Sequence, residues 1–191
     1  MIKLFPIIFI LLWSSAFITT KPIIDYSDPF AALAFRFFFV SIGFLIFSIF
    51  ANNTLKSSNK NIIQSILSGV LFHGFYLGGV FYSISIGMPT GITALIVTLQ
   101  PVLTNILAGP LLNEKITKPQ WIGMILGFTG ASLVLGFDIG KNLPLNGVLA
   151  AFISLFAITF STIWQKKLSN NLPLSSSNMY QEIVMYLIHI S

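Results

Sequence analysis

The side chains able to do chemistry fall into a few groups. His73 and Tyr76 recur near one helical face with Gly69, Gly79 and Ser83. An imidazole donates, accepts or holds a proton near neutral pH, and a tyrosine offers a ring and a hydroxyl. Thr90, Thr93, Val97, Gln100 and Thr104 follow at spacings of three and four, which puts polar side chains on one face while Leu95, Leu99 and Ile106 mostly lie elsewhere. Pro101 adjoins Gln100 and cannot donate to the carbonyl four residues back, so a kink with a free backbone oxygen is predicted there. Trp13, Ser14, Thr20 and Lys21 form a further group, Arg36 stands in an apolar run, and Glu114 sits with Lys115 and Lys118. The absence of cysteine removes disulfides, thiolate metal sites and thiol nucleophiles. No paired carboxylates, histidine-rich cluster or phosphate-cradling loop stands at catalytic spacing, so no catalytic residue, metal ligand or cofactor is expected.

The elements that position these groups are set by composition. Of 191 residues, 55% are hydrophobic and 8% charged, where a soluble domain carries roughly 25% charged residues. A water-soluble fold is excluded. The apolar residues form long runs, and crossing a bilayer takes about 20 helical residues with every backbone group paired internally. Segments 4–24, 29–50, 62–87, 90–112, 121–137 and 145–164 meet that need, the fifth being the shortest. A seventh begins near Ser177 and runs to Ser191, short for a comfortable crossing. Pro22, Pro29, Pro89, Pro119 and Pro144 fall at the expected boundaries. The stretches 51–61 and 166–178 are too short to hold a core of their own, so one membrane domain of antiparallel helices is expected.

Met1-Ile2-Lys3, the apolar run and Ser14-Ser15-Ala16 outline a secretory signal, but the run continues through Phe17 and Ile18 and further spans follow. A retained first helix fits better. With the N-terminus inside, the inner ends hold Lys3, Lys56, Lys60, Lys115, Lys118, Lys166 and Lys167, and the outer ends hold Lys21, Arg36 and Lys141. Cationic residues are retained on the cytoplasmic side, which favours a cytoplasmic N-terminus, with Asp25 and Asp28 outside. The net charge of +5 is thus a topology signal, and with no basic cluster interleaved with aromatics no nucleic-acid partner is expected. Shifting the chain by 145 positions lays Lys21 on Lys166 and Phe35-Arg36 on Tyr180-Gln181. Five helices would separate such copies, so the second would enter the membrane from the opposite side, an inverted repeat.

In such a bundle polar side chains belong where they face a cavity or one another. Candidate solute contacts are Trp13, Arg36, His73, Tyr76, Thr93, Gln100 and Thr104, with Pro101 as hinge or solute contact. Each has a structural alternative. Pro101 can be a plain bend, and His73 can hold a neighbouring helix. Arg36 either binds an anionic or zwitterionic solute, or reaches the outer interface, or pairs with Asp25 or Asp28; Lys21 has a similar alternative. Gly74 with Gly78, and Gly123 with Gly127, have the spacing that lets helices approach closely. Glu114 serves capping or loop pairing as well as any coupling role. No carboxylate is placed near mid-membrane, so an acidic proton relay is not expected, and His73 alone could take that part.

Leu11-Leu12-Trp13-Ser14-Ser15-Ala16-Phe17 with Lys21, Ala34-Phe35-Arg36-Phe37, Leu99-Gln100-Pro101-Val102, Leu112-Asn113-Glu114-Lys115 and the glycines of 123–130 resemble, in order and spacing, the EamA-type drug/metabolite transporter superfamily. Asn146-Gly147, Gln165-Lys166-Lys167 and Tyr180-Gln181 look like the opening of that family's second repeat. The resemblance implies an all-α integral membrane bundle, with a first five-helix repeat over 1–140 and the start of an inverted second repeat over 141–191. It implies a secondary transporter, an exporter or facilitator of a small metabolite such as an amino-acid-like solute, in a bacterial inner membrane. Members usually carry two five-helix repeats, about ten helices in all, so the chain reads as a truncated or accessory form. Its partners would be the solute, membrane lipids, and a second copy or a complementary half. An intramembrane enzyme is the remaining rival, to be revived by a hydrolytic activity lost in His73→Ala.

Overall fold

The computed structural model describes residues 4–52, 57–112, 116–135, 143–169 and 172–190. Lys3, Lys56, Glu114, Lys115 and Lys141, used above for orientation and for the turn after residue 112, lie outside the described residues. The described elements are α1 (Phe5–Tyr26), α2 (Pro29–Phe50), α3 (Asn59–Gly69), a π-helical segment (Val70–Gly78), α4 (Gly79–Ser85), α5 (Thr90–Thr98), α6 (Gln100–Leu112), α7 (Lys118–Leu135), α8 (Leu145–Leu168) and α9 (Leu174–Ile190). α3, the π segment and α4 form one continuous central span, Asn59–Ser85. That span, Ile7–Tyr26, Pro29–Phe50, Thr90–Leu107 and Leu145–Leu168 are long and apolar enough to cross a membrane. α7 opens on Lys118-Pro119-Gln120, which shortens the apolar part of the described fifth pass. The chain is an all-α integral membrane protein.

Local chemistry explains the boundaries. Asp28 Oδ1 accepts from the backbone of Phe30 and Ala31, each at 2.9 Å, and Pro29 takes the first helical position, where its missing N–H costs nothing. Gly87 has φ +94° in the turn before Pro89, a conformation that an L side chain resists. Pro22, expected to mark a boundary, instead lies inside α1, which runs on to Tyr26. Proline is tolerated in membrane helices when neighbours re-satisfy the backbone.

The bundle is held by polar and small side chains turned inward. Ser65, Ser68, Ser83, Thr93, Ser154, Thr159, Ser161 and Gln181 are fully buried, while Leu11, Ile18, Phe39 and Leu126 are at least 65% exposed. The apolar outer surface suits a hydrocarbon surrounding, and inside, these polar groups are interleaved with an apolar cluster that includes Leu33, Phe37, Leu77, Val80, Phe81 and Ile158. α8 runs antiparallel to the central span and makes polar contacts with it at three levels. Ser83 Oγ donates to Gly147 O at 2.9 Å and Ser161 Oγ to Ser68 O at 2.9 Å, and between them Ser154 Oγ, which donates to Ala150 O at 2.8 Å, lies 3.4 Å from Phe75 O. Gly79 faces Ser154 Oγ and the Ala150 carbonyl, so the two backbones meet with no room for a methyl. α9 runs parallel to α3 and antiparallel to α2: Ser177 meets Ser65, whereas His189 near its end meets Phe30 near the start of α2. Gly74 touches Met185 of α9 at 3.2 Å from an added Cβ, as expected of a packing glycine; Gly123 and Gly127 have no atom within 4 Å of theirs.

Candidate functional site

α1, α2 and the central span line a small, half-open recess of about 100 Å³. Its wall includes Trp13, Thr20, Arg36, Phe72, Tyr76 and Phe81. The Trp13 and Tyr76 rings are stacked, with centroids 6.4 Å apart and planes within 10°. Phe72 meets Tyr76 edge-on at 5.2 Å and fixes its orientation. The Thr20 hydroxyl donates to Ala16 O at 2.7 Å. Arg36 has no ion-pair or hydrogen-bond partner among the described residues. The aspartates weighed as its partners are engaged otherwise, Asp25 with Lys21 on its own helix and Asp28 as the cap of α2. An unpaired guanidinium is thus set beside a stacked aromatic pair.

A second cleft of about 510 Å³ lies across Trp13 and Phe72 from the first, bounded by α1, α5, α6 and α8. Ser14, Gln100, Pro101 and Thr162 supply its polar and backbone-altering lining. Gln100 Nε2 donates to Thr104 Oγ1 at 3.0 Å and contacts Thr162 Oγ1 at 3.4 Å. The fourth pass is two helices: α5 ends at Thr98, Leu99 bridges, and α6 starts with Pro101 in its first turn. Leu99 keeps right-handed helical dihedrals, φ −68° and ψ −12°, so the pass stays one span that is interrupted where Pro101 lacks an N–H for the Val97 carbonyl. Thr93 is placed elsewhere. It is fully buried against α4, 3.3 Å from Ser83 Oγ, and lines neither cavity.

His73 lies behind Tyr76, buried against a group that the sequence reading missed. Glu182 of α9 is also buried, and its Oε1 is 3.6 Å from His73 Nε2. His73 is central in the 27-residue span, so a carboxylate does stand at that depth, contrary to the expectation above. A seventh segment beginning near Ser177 is short for a comfortable crossing and draws no attention to its polar residues, whereas α9 begins at Leu174 and carries Ser177, Gln181 and Glu182 inward. The signal was present, since those residues and Met185 recur at helical spacing, the argument already applied to Gln100. Gly69 makes the approach feasible, because an added Cβ would lie 2.6 Å from Gln181 Cβ.

From this pair a buried polar ladder extends toward the end of the bundle that bears Lys60, Lys166 and Lys167. Gln181 Nε2 donates to Ser177 Oγ at 3.1 Å, and Ser177 Oγ shares a proton with Ser65 Oγ at 2.8 Å. Gln165 Nε2 contacts both Gln181 Oε1 and Ser161 Oγ at 3.3 Å, and Ser161 lies 3.1 Å from Ser68 Oγ. These hydroxyls and amides form a buried hydrogen-bonded line beside the two recesses.

A helical membrane bundle with polar recesses between its spans has the build of a solute carrier. Residues 2–136 match the EamA-like transporter family, and the chain belongs to that family, within the drug/metabolite transporter superfamily. It is 26% identical over 164 residues to the uncharacterized transporter YvbV of Bacillus subtilis, covering 83% of this chain and 51% of that protein. It is 39% identical over 103 residues to an S-adenosylmethionine uptake transporter of Rickettsia conorii, covering 53% of this chain and 33% of that protein. A probable amino-acid metabolite efflux pump of Salmonella typhimurium is 20% identical over 169 residues, covering 86% of this chain and 53% of its own length. The chain spans about half the length of the curated relatives it matches over most of its own length. No solved structure matches it.

Proposed function

We propose that the chain acts in secondary transport of a small zwitterionic metabolite carrying an α-amino-acid headgroup. The observation that carries this reading is Arg36, unpaired and facing the cavity walled by Trp13 and Tyr76. Arg36 is exposed two turns into α2, where its guanidinium meets water or an anion, and it binds a carboxylate through charge-assisted hydrogen bonds. The stacked indole and phenol suit the cationic or planar part of the same solute. S-adenosylmethionine, named for one relative, carries that headgroup, and the other relative is named for amino-acid metabolites. Gln100, held by Thr104, and Pro101 in the neighbouring cleft supply hydrogen bonds and a hinge on the path away from it.

The start of α2 at Pro29 and of α9 at Leu174, 145 residues apart, supports an inverted-repeat reading of α1–α2 and α8–α9. On that reading a second copy of the chain, or a complementary half, completes the carrier, and crosslinking that finds only monomers in an active preparation would remove it. Transport itself is tested in proteoliposomes with radiolabelled methionine and S-adenosylmethionine. Saturable uptake is expected, with Arg36→Gln raising the half-saturation concentration about 10- to 100-fold, the loss of one charge-assisted contact. Trp13→Ala, Tyr76→Ala and Gln100→Ala are expected to lower flux, and flux indifferent to all of them would take the solute out of both cavities.

A further inference from the structure

We propose that His73 and Glu182 form a proton-binding site whose occupancy is linked to that of the solute site, so that the solute moves together with a proton. This rests on the solute site placed at Arg36.

The pair is poorly built for a structural role. A buried ion pair stabilises a fold only when its geometry is good and its remaining polar atoms are satisfied. Here the nearest approach is 3.6 Å, outside the range of a charge-assisted hydrogen bond, and His73 Nδ1 and Glu182 Oε2 are buried without hydrogen-bond partners. Ionisable side chains at membrane depth that are not locked in place mark ion or proton pathways. Both sides of the pair have a connection. Toward the solute, His73 is one turn from Tyr76 in the π segment, and its ring sits 4.9 Å from Phe72, a wall residue of both cavities. Toward the lysine-bearing end, Gln181 lies beside His73 and opens the ladder through Ser177 and Ser65.

The ionisable groups around the pair are few. α2 contributes Arg36, the cation whose field reaches His73, Tyr76 and Glu182. The π segment contributes Tyr76, and α9 contributes Tyr186 and His189, whose ring is 5.2 Å from Phe37 and whose Nδ1 is 2.9 Å from Met185 O. α3 brings Lys60, α4 brings Tyr82, and α8 brings Lys166 and Lys167. Arg36 repels a proton arriving at the pair, and a solute carboxylate seated on Arg36 offsets that charge. Proton and anion therefore bind better together than apart, and by linkage each strengthens the other by the same factor. In one cycle the pair takes up one proton from one side and gives it up on the other, returning unchanged.

The site can be read without any solute. Glu114 and Glu182 are the chain's glutamates, so carbon-13 glutamate labelling separates their infrared bands from those of the aspartates. In nanodiscs, a labelled protonated-carboxyl band is expected to titrate between about pH 5 and 9, to vanish in Glu182→Gln, and to shift its midpoint by about one pH unit in His73→Gln. A band that persists in Glu182→Gln, or none in that window, overturns the proposal. Should Glu182→Gln fail to fold, an unmoved midpoint in His73→Gln overturns it equally. In proteoliposomes, methionine uptake is expected to rise several-fold under an inward proton gradient and to lose that response in His73→Gln. Gradient-independent uptake with a silent pair removes the proton site and leaves transport standing, whereas a titrating Glu182 without uptake removes the solute reading.

Discussion

Single residues differ here in how much their surroundings ask of them, and glycine shows it most directly. An added Cβ at Gly69 would lie 2.6 Å from Gln181 Cβ and 3.0 Å from its Cα, atoms that move only if α3 and α9 part. An added Cβ at Gly43 on α2 meets nothing within 4 Å. Gly69→Ala is therefore expected to cost roughly 1–3 kcal/mol, the usual penalty of overpacking, while Gly43→Ala leaves stability unchanged or slightly raised because alanine favours a helix. Unfolding in mixed micelles compares them, and equal effects would show that α3 and α9 yield to an added methyl at their contact. His73, Tyr76, Arg36, Trp13 and Gln100 could be picked out in the sequence because a polar group in an apolar run stands out by type and spacing. Which of them share a cavity could not, since that depends on ring stacking between α1 and the central span and on the occupation of Asp25 and Asp28 by Lys21 and the α2 backbone.

Elements were legible wherever the signal was a long apolar run and a proline or cap at its end. α2 occupies the expected residues 29–50, and α8 starts at the expected Leu145 but continues to Leu168. Two departures lie inside spans. The π segment Val70–Gly78 leaves no mark in hydropathy, because it changes the hydrogen-bond ladder and not the composition. The fourth pass is interrupted at Leu99, next to the position where Pro101 lacks the N–H that would reach the Val97 carbonyl. Both departures border the two cavities, which accords with the use of irregular backbone where it lines a space and is shielded from lipid. Pro101→Ala would restore an N–H able to reach the Val97 carbonyl and let α5 and α6 fuse. Thermal stability is expected to hold or rise by about 1 kcal/mol, the net worth of one regained backbone hydrogen bond, while methionine flux falls several-fold if the interruption is the hinge. Flux that survives the substitution would make Pro101 a structural bend only.

At the scale of the whole molecule, orientation decides which way the polar ladder and the solute cavity open. The described cations are unevenly placed: Lys60, Lys118, Lys166 and Lys167 stand at helix ends that alternate with those of Lys21 and Arg36, and Lys60 and Lys167 border one recess. If cationic ends are held in the cytoplasm, the ladder of Ser65, Ser177 and Gln181 opens inward, and the turn between α1 and α2 lies outside. The lack of cysteine makes this directly testable, since any introduced thiol is the sole one. Ser27 in the α1–α2 turn, Asn59 at the start of α3 and Ser169 after α8 are all exposed. In intact cells a membrane-impermeant maleimide is expected to label Ser27→Cys, and to label Asn59→Cys and Ser169→Cys only after permeabilisation. The reverse pattern would turn the bundle over, and the proton route to Glu182 would then open to the outside, so that a proton gradient of the same sign would reach the pair through the ladder instead of through the Arg36 cavity.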